Sequence, residues 1–212
     1  MSTPRVAIID CGAGNLHSVR KALATQLPEG GTLDVVHDAA ALAEATHLVL
    51  PGVGAFGDCM AGLNALPGMR AALETAVLEQ KKPFLGVCVG MQMLFERGHE
   101  FGVHQGLGWF KGEVKPIAPQ DAQLRIPHMG WNRLQQTQAG HAFFAEVAQE
   151  AFVYFVHSYA AIGCNPAEVL ATVDYGGEIV SVVGRENIVA TQFHPEKSQA
   201  VGLRLIRNFL AM

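Results

Sequence analysis

Phe84-Leu-Gly-Val-Cys-Val-Gly-Met-Gln92 sets a cysteine midway between two glycines, at the point where an apolar run stops. The run before it predicts a buried strand, and the residues after it, from Gly90 to Gly98, predict a helix. A cysteine that only fills space needs no glycine two positions away on either side. A nucleophile raised on a tight strand-to-helix turn does, because the crowded backbone leaves no room for Cβ atoms beside it. At that turn the thiol of Cys88 meets the positive end of a helix, which favours the thiolate, and the N–H of Val89 points to where an oxyanion would form.

Working outward, the first half of the chain alternates. The runs Arg5–Asp10, Leu33–His37, Thr46–Gly52 and Pro83–Val87 read as strands, separated by helical patterns that include Asn15–Leu27 and Phe56–Gln80, the latter broken at Pro67-Gly68. Near-continuous apolar strands between helices predict a parallel sheet covered on both faces. The second half is richer in strand-like runs, among them Leu107–Ile117, Ala151–Ala160, Glu168–Tyr175, Glu178–Asn187 and Ile188–Pro195, and it closes on an amphipathic helix from Ser198. The expectation is one α/β domain over residues 1–212, mostly parallel, with a mixed or antiparallel extension.

The elbow needs a base. His194-Pro-Glu196 supplies an imidazole and a carboxylate two positions apart, which in extended backbone project to one side. A carboxylate beside the ring holds one tautomer and stabilises the imidazolium. Cys88, His194 and Glu196 thus form a nucleophile, base and orienter. A zinc deaminase would place P-C-x-x-C after H-x-E, and no cysteine follows Glu196. The remaining histidines lack ligand spacing, so neither a metal nor another cofactor is expected. Cys11, Cys59 and Cys164 read as inert buried thiols, and Cys11-Gly-Ala-Gly-Asn15 lacks the third glycine of a dinucleotide loop.

Composition excludes other classes. At 212 residues the chain can bury roughly 70% of its unfolded surface without staples. A net charge of −4 with no basic run argues against nucleic-acid binding, and no apolar stretch reaches the ~20 residues of a membrane helix. With no leader at its start and no paired cysteine pattern, the chain is expected to be cytoplasmic.

Taken together, Gly86-x-Cys88-x-Gly90-x-Gln92 and His194-Pro-Glu196 resemble the class I (triad) glutamine amidotransferases. Gly12–Leu16, Pro51–Gly54 with Phe56, Pro127–Asn132, His157–Tyr159 and His194–Ser198 resemble more narrowly the subfamily of glutaminase subunits of imidazole glycerol phosphate synthases. Two departures, Cys11 where an aromatic is common and Val89 where leucine is frequent, remove no reacting group.

The resemblance implies a flavodoxin-like three-layer fold and hydrolysis of L-glutamine to glutamate and ammonia. The ammonia would pass to a (β/α)8-barrel synthase subunit, held as a heterodimer partner. It further implies oxyanion donors at the backbone of Val89 and Val53, glutamine contacts at Gly54, Gln92, Ser158 and Tyr159, and partner-facing roles for Asn15, Trp131 and Lys197. The Gly-flanked Pro51–Gly54 segment could hold the Val53 N–H turned away until the partner is liganded.

Without the resemblance, Trp131 reads as core, Asn15 as the N-cap of the first helix and Lys197 as a solvated charge. Three alternatives remain: a glutaminase serving anthranilate or pyridoxal phosphate synthesis, a free-standing hydrolase of γ-glutamyl or peptide bonds, and a non-catalytic scaffold. The last would typically lack the cysteine or the histidine, and both are present.

Overall fold

Four apolar runs of the first half become the parallel strands β1 (Arg5–Ile9), β2 (Thr32–Val36), β3 (His47–Gly52) and β4 (Phe84–Cys88). The computed structural model describes residues 3–12 and 14–212. Ala13, inside the Gly12–Leu16 motif, lies outside the described residues. Between the strands run α1 (Leu16–Gln26), α2 (Ala41–Glu44), α3 (Phe56–Ala65) and α4 (Met69–Glu74), the last continuing into a π-turn at Thr75–Glu79. The break at Pro67-Gly68 falls as the sequence predicts, with Gly68 left-handed at φ 71°.

After β4 come α5 (Val89–Gln92) and the short strands β5 (Arg97–Gly98) and β6 (His104–Gln105), then β7 (Glu113–Pro116), β8 (His128–Arg133) and β9 (Gln135–Gln136). The chain continues through β10 (Phe152–His157), β11 (Tyr159–Ile162), β12 (Val169–Asp174), β13 (Glu178–Arg185), β14 (Ile188–Thr191) and α6 (Gln199–Leu210). The main sheet runs β2-β1-β3-β4-β14-β13-β12-β9 among the described residues. The first five strands pair in parallel and the last three antiparallel. The order of the parallel part is that of a flavodoxin-like sheet, with the antiparallel extension the sequence predicts.

Every residue of β3 and β4 is buried, so helical layers cover both faces of the sheet. Leu48, Val49 and Leu50 each contribute roughly 1.5–3 kcal/mol by leaving water. Helix α6 buries Leu205, Ile206 and Phe209, with the Phe209 ring edge-on to His47 of β3. It also meets α1, where Arg207 Nε donates to Gln26 Oε1 at 3.1 Å.

Two local readings are corrected. The helix after the elbow stops at Gln92 rather than Gly98, because backbone N–H groups of Leu107, Gly108, Trp109 and Phe110 take the carbonyls of Met93, Leu94 and Phe95. Ala151–Ala160 is not one strand. It parts at Ser158, whose carbonyl accepts from Ile117 N, so that β10 pairs with β8 and β11 with β7. The partner strand β8 belongs to the Pro127–Asn132 motif and escaped the strand reading altogether.

Candidate active site

Parallel strands end together, so β3, β4 and β14 deliver Pro51–Gly54, Cys88 and Gln192–Glu196 to one edge of the sheet. Cys88 is the last residue of β4 and sits at φ 56°, ψ −111°, a conformation a side chain adopts only under constraint. The constraint is packing. A Cβ on Gly90 would collide with the Leu50 carbonyl oxygen, and one on Gly86 would lie 3.0 Å from Gly90 O. The elbow predicted from the two glycines therefore forms, with Val89 opening α5 directly after the thiol.

His194 and Glu196 meet as the sequence predicts. His194 Nδ1 lies 2.8 Å from Glu196 Oε1, and both side chains are 1% exposed. Burial alone would depress the imidazole, but its approach to Cys88 and its bond to Glu196 outweigh that and raise it to about 9. Nε2 of the ring is buried and makes no hydrogen bond of good geometry among the described residues. The ring's approach to the thiol therefore stops short of a well-formed hydrogen bond, and catalytic hydrogen bonds commonly tighten only once substrate is bound. Burial pushes Cys59 up to about 12 and Cys164 to about 11, and raises Cys11 as well, so these remain thiols.

A cleft of about 460 Å³ opens over the thiol. Val53, Gly54, Cys88, Val89, Gln92, Ser158, Tyr159, His194 and Lys197 line it, so it gathers the triad's nucleophile and base with every residue expected at the oxyanion and glutamine positions. Gly54 takes φ 95°, which only a residue without Cβ adopts easily. Gln92 is turned inward: its Nε2 donates to Tyr159 O at 3.1 Å and to Gln192 Oε1 at 3.0 Å. Sequence reading missed two residues here. Gln192 Nε2 donates to Cys88 Sγ at 3.8 Å, and Glu100 lines the cleft with Oε2 accepting from Phe56 N at 3.0 Å.

Of the three residues expected at a partner surface, Asn15 is found elsewhere. It is buried at the N-cap position of α1, makes no capping bond, and donates from Nδ2 to Glu196 Oε1 at 3.1 Å. The side chain faces inward because the carboxylate offers a buried amide its partner. Trp131 is 45% exposed and Lys197 is exposed, and both touch Tyr154: Trp131 edge-on at 5.9 Å between ring centroids, Lys197 Nζ 5.9 Å above the ring. With Met129 and Phe152 they form an apolar surface patch along β8 and β10. Among the described residues no group of three or more His, Cys, Asp or Glu could hold a metal ion, and no helix is long and apolar enough to cross a membrane.

Comparison with known proteins agrees with this geometry. The glutamine amidotransferase class-I family profile matches residues 7–212. The imidazole glycerol phosphate synthase subunit HisH of Rhodospirillum rubrum is 51% identical over 209 residues, covering 97% of this chain and 98% of that protein. The protein of the same name from Brucella suis is 50% identical over 211 residues, covering 97% and 98%. Among solved structures, one described as a glutamine amidotransferase superposes with a TM-score of 0.72 at 19% identity, over 97% of each chain. The glutaminase domain of Trypanosoma brucei CTPS gives 0.63 at 16%, over 99% of this chain and 92% of that one. These two likenesses speak to the fold alone.

Proposed function

The chain belongs to the class-I glutamine amidotransferase family, and from that footing we infer that it is the glutaminase subunit of an imidazole glycerol phosphate synthase, serving histidine biosynthesis. The observation that carries its chemistry is the buried His194–Glu196 pair beside a cysteine held at a strained elbow in one cleft.

In the proposed mechanism the proton of the Cys88–His194 pair rests on the ring, whose affinity for it is raised, and the Cys88 sulfur attacks the side-chain amide carbon of glutamine. The N–H groups of Val89 and Val53 are assigned to the resulting oxyanion. His194 then gives its proton to the amide nitrogen, the C–N bond breaks, and ammonia leaves with a glutamyl thioester on Cys88. Water attacks the thioester, His194 takes its proton, the C–S bond breaks and glutamate departs. The electrostatics fit this exchange of roles. The raised affinity of His194 for a proton depends partly on Cys88, so acylation of the sulfur withdraws that support and leaves the ring neutral, free to take the proton of the attacking water in the second half.

Glu100, a carboxylate in the wall of the cleft, is assigned to the substrate's α-ammonium; Gly54, Gln92, Ser158 and Tyr159 are assigned to orienting the remainder of the glutamine. Asn15 is assigned to Glu196 rather than to a partner. Residues 1–212 are read as one amidotransferase domain, supported by a main sheet built from strands of both halves.

The partner is proposed to be a (β/α)8-barrel synthase subunit seated on the Trp131–Tyr154–Lys197 patch. Released ammonia would largely become ammonium in neutral water and lose its nucleophilicity, so a sealed path to the acceptor is needed. A cytoplasmic location accords with four unpaired cysteines among the described residues.

The test is glutamate release from glutamine by the chain alone, then with a barrel subunit and its ribonucleotide ligand, each beside a Cys88→Ala control. Strong stimulation that the control abolishes is expected. Equal activity with and without the subunit would instead identify a free-standing hydrolase.

A further inference from the structure

Two buried histidines lie beside the cleft and take no part in the chemistry above. His128 and His157 face each other across the β8–β10 register, with His128 Nδ1 2.9 Å from His157 Nε2. His157 Nδ1 lies 2.9 Å from the Tyr159 carbonyl, and His128 Nε2 lies 3.3 Å from Asn132 Nδ2. A carbonyl only accepts, so His157 must carry its proton on Nδ1. Its Nε2 is then an acceptor, His128 must donate from Nδ1, and His128 Nε2 must accept from the Asn132 amide. One direction of donation satisfies every group in the line. Asn132 is itself fixed, since Nδ2 also donates to Asp174 O and Oδ1 accepts from Arg133 N. The His128 ring is further clamped between the Phe155 and Tyr175 rings, at 4.6 and 4.0 Å between centroids.

The line ends on the wall of the cleft. The Tyr159 carbonyl accepts from His157 on one side and from Gln92 on the other, and Gln92 continues through Gln192 to the sulfur of Cys88. Both lone pairs of that carbonyl are used, while the preceding Ser158 carbonyl is held by Ile117 N. We propose that His128 and His157 form a tautomer-locked pair that positions the Ser158–Tyr159 wall and Gln92 for glutamine binding. They are positioning residues, acting through the Tyr159 carbonyl rather than on the reacting atoms. The inference rests on the glutaminase reading above. Burial lowers both rings to about 4, which keeps one proton on each at neutral pH, as the line requires. A second proton on His157 would set its Nε2–H against the Nδ1–H of His128.

Nitrogen-15 NMR of the histidine rings in the whole chain at pH 7 tests the lock directly. Both rings are expected as the Nδ1–H tautomer, although free imidazole side chains prefer Nε2–H; an Nε2–H tautomer at either ring would overturn the proposal. Kinetics of the complex with a barrel subunit and its ribonucleotide ligand test the function. His157→Phe should raise KM for glutamine about 5- to 10-fold, the effect of losing the neutral hydrogen bond to the Tyr159 carbonyl, with a smaller change in kcat. His157→Asn, whose Nδ2 takes the place of the ring Nδ1–H, should return KM to within about 2-fold of the wild type.

His128→Phe, which frees His157 to change tautomer, should raise KM in the same direction and carries the kinetic test if His157→Phe does not fold. A KM unchanged in both phenylalanine variants, or no rescue by a folded His157→Asn, would overturn the assignment. A wild-type complex that releases no glutamate would overturn the glutaminase reading instead, and the ring tautomers would still decide the pair.

Discussion

Asn15 Nδ2 donates to the same Glu196 oxygen that holds His194 Nδ1, at 3.1 and 2.8 Å, although Asn15 stands 181 positions earlier in the chain. The carboxylate is therefore gripped from two sides, and the imidazole is oriented through it. Asn15→Leu removes one grip at nearly constant volume. It should lower kcat about 5- to 10-fold with little effect on KM, because the orientation of a proton carrier matters in the transition state more than in binding. An unchanged kcat in the assembled complex would mean that the Asn15–Glu196 bond does not orient the imidazole.

Cys88→Ala should abolish glutamine-dependent turnover by roughly 10⁴-fold or more, since no other thiol in the structure can replace it. Burial raises Cys11 and pushes Cys59 up to about 12. The same variant should still support synthesis by the complex when ammonium salts replace glutamine, because the proposal places the acceptor chemistry on the partner. Loss of both activities would mean that the substitution disturbs assembly rather than the nucleophile.

Stability should fall on both sides of neutrality, for opposite reasons. His128 and His157 have folded pKa values near 4, below the ordinary 6.5, so the unfolded chain binds more protons as pH drops through that window and stability is lost. His194 has a folded value near 9, above the ordinary 6.5. Its contribution is fully present below 6.5 and is lost as pH rises through about 9. Melting temperatures from pH 4.5 to 9.5 should show a maximum near pH 6.5–7, with a fall on the order of 5–10 °C along the acid limb. A His128→Phe, His157→Phe double variant should flatten the acid limb, and His194→Ala the alkaline one.

What the sequence made legible were features encoded within a few positions. The glycines flanking Cys88 announce the elbow because each fits where a Cβ would meet backbone, and the apolar runs of β1, β3 and β4 announce parallel strands because both faces are buried. His194 and Glu196 were legible as a pair because they are two apart. What escaped depends on distant partners. Gln192 reaches Cys88 across 104 positions, and nothing local marks it just past the end of β14. The helix after the elbow ends early because a loop more than ten residues on takes its carbonyls. Strand β8 was hidden because its alternation is broken by Pro127 and Gly130, while its polar residues His128 and Asn132 are held from β10 and from the end of β12.

Trp131 offers the clearest handle on the proposed partner. An indole 45% exposed, beside Met129 at 61% and Phe152 at 49%, is a patch of the kind that soluble surfaces keep for interfaces. Its edge-on contact with Tyr154 holds the ring in place before any partner arrives, so little ordering cost remains on binding. Trp131→Ala should therefore weaken association with the barrel subunit by about 2–4 kcal/mol, read as Kd by calorimetry. It should leave the melting temperature of the isolated chain nearly unchanged, because an exposed ring supports little of the core. Lys197→Ala should act differently: a charge at the rim of the patch steers encounter, so the association rate and its salt dependence should fall while dissociation changes little. If Trp131→Ala binds the barrel as tightly as the wild type, the partner does not seat on β8 and β10, and the patch serves another contact.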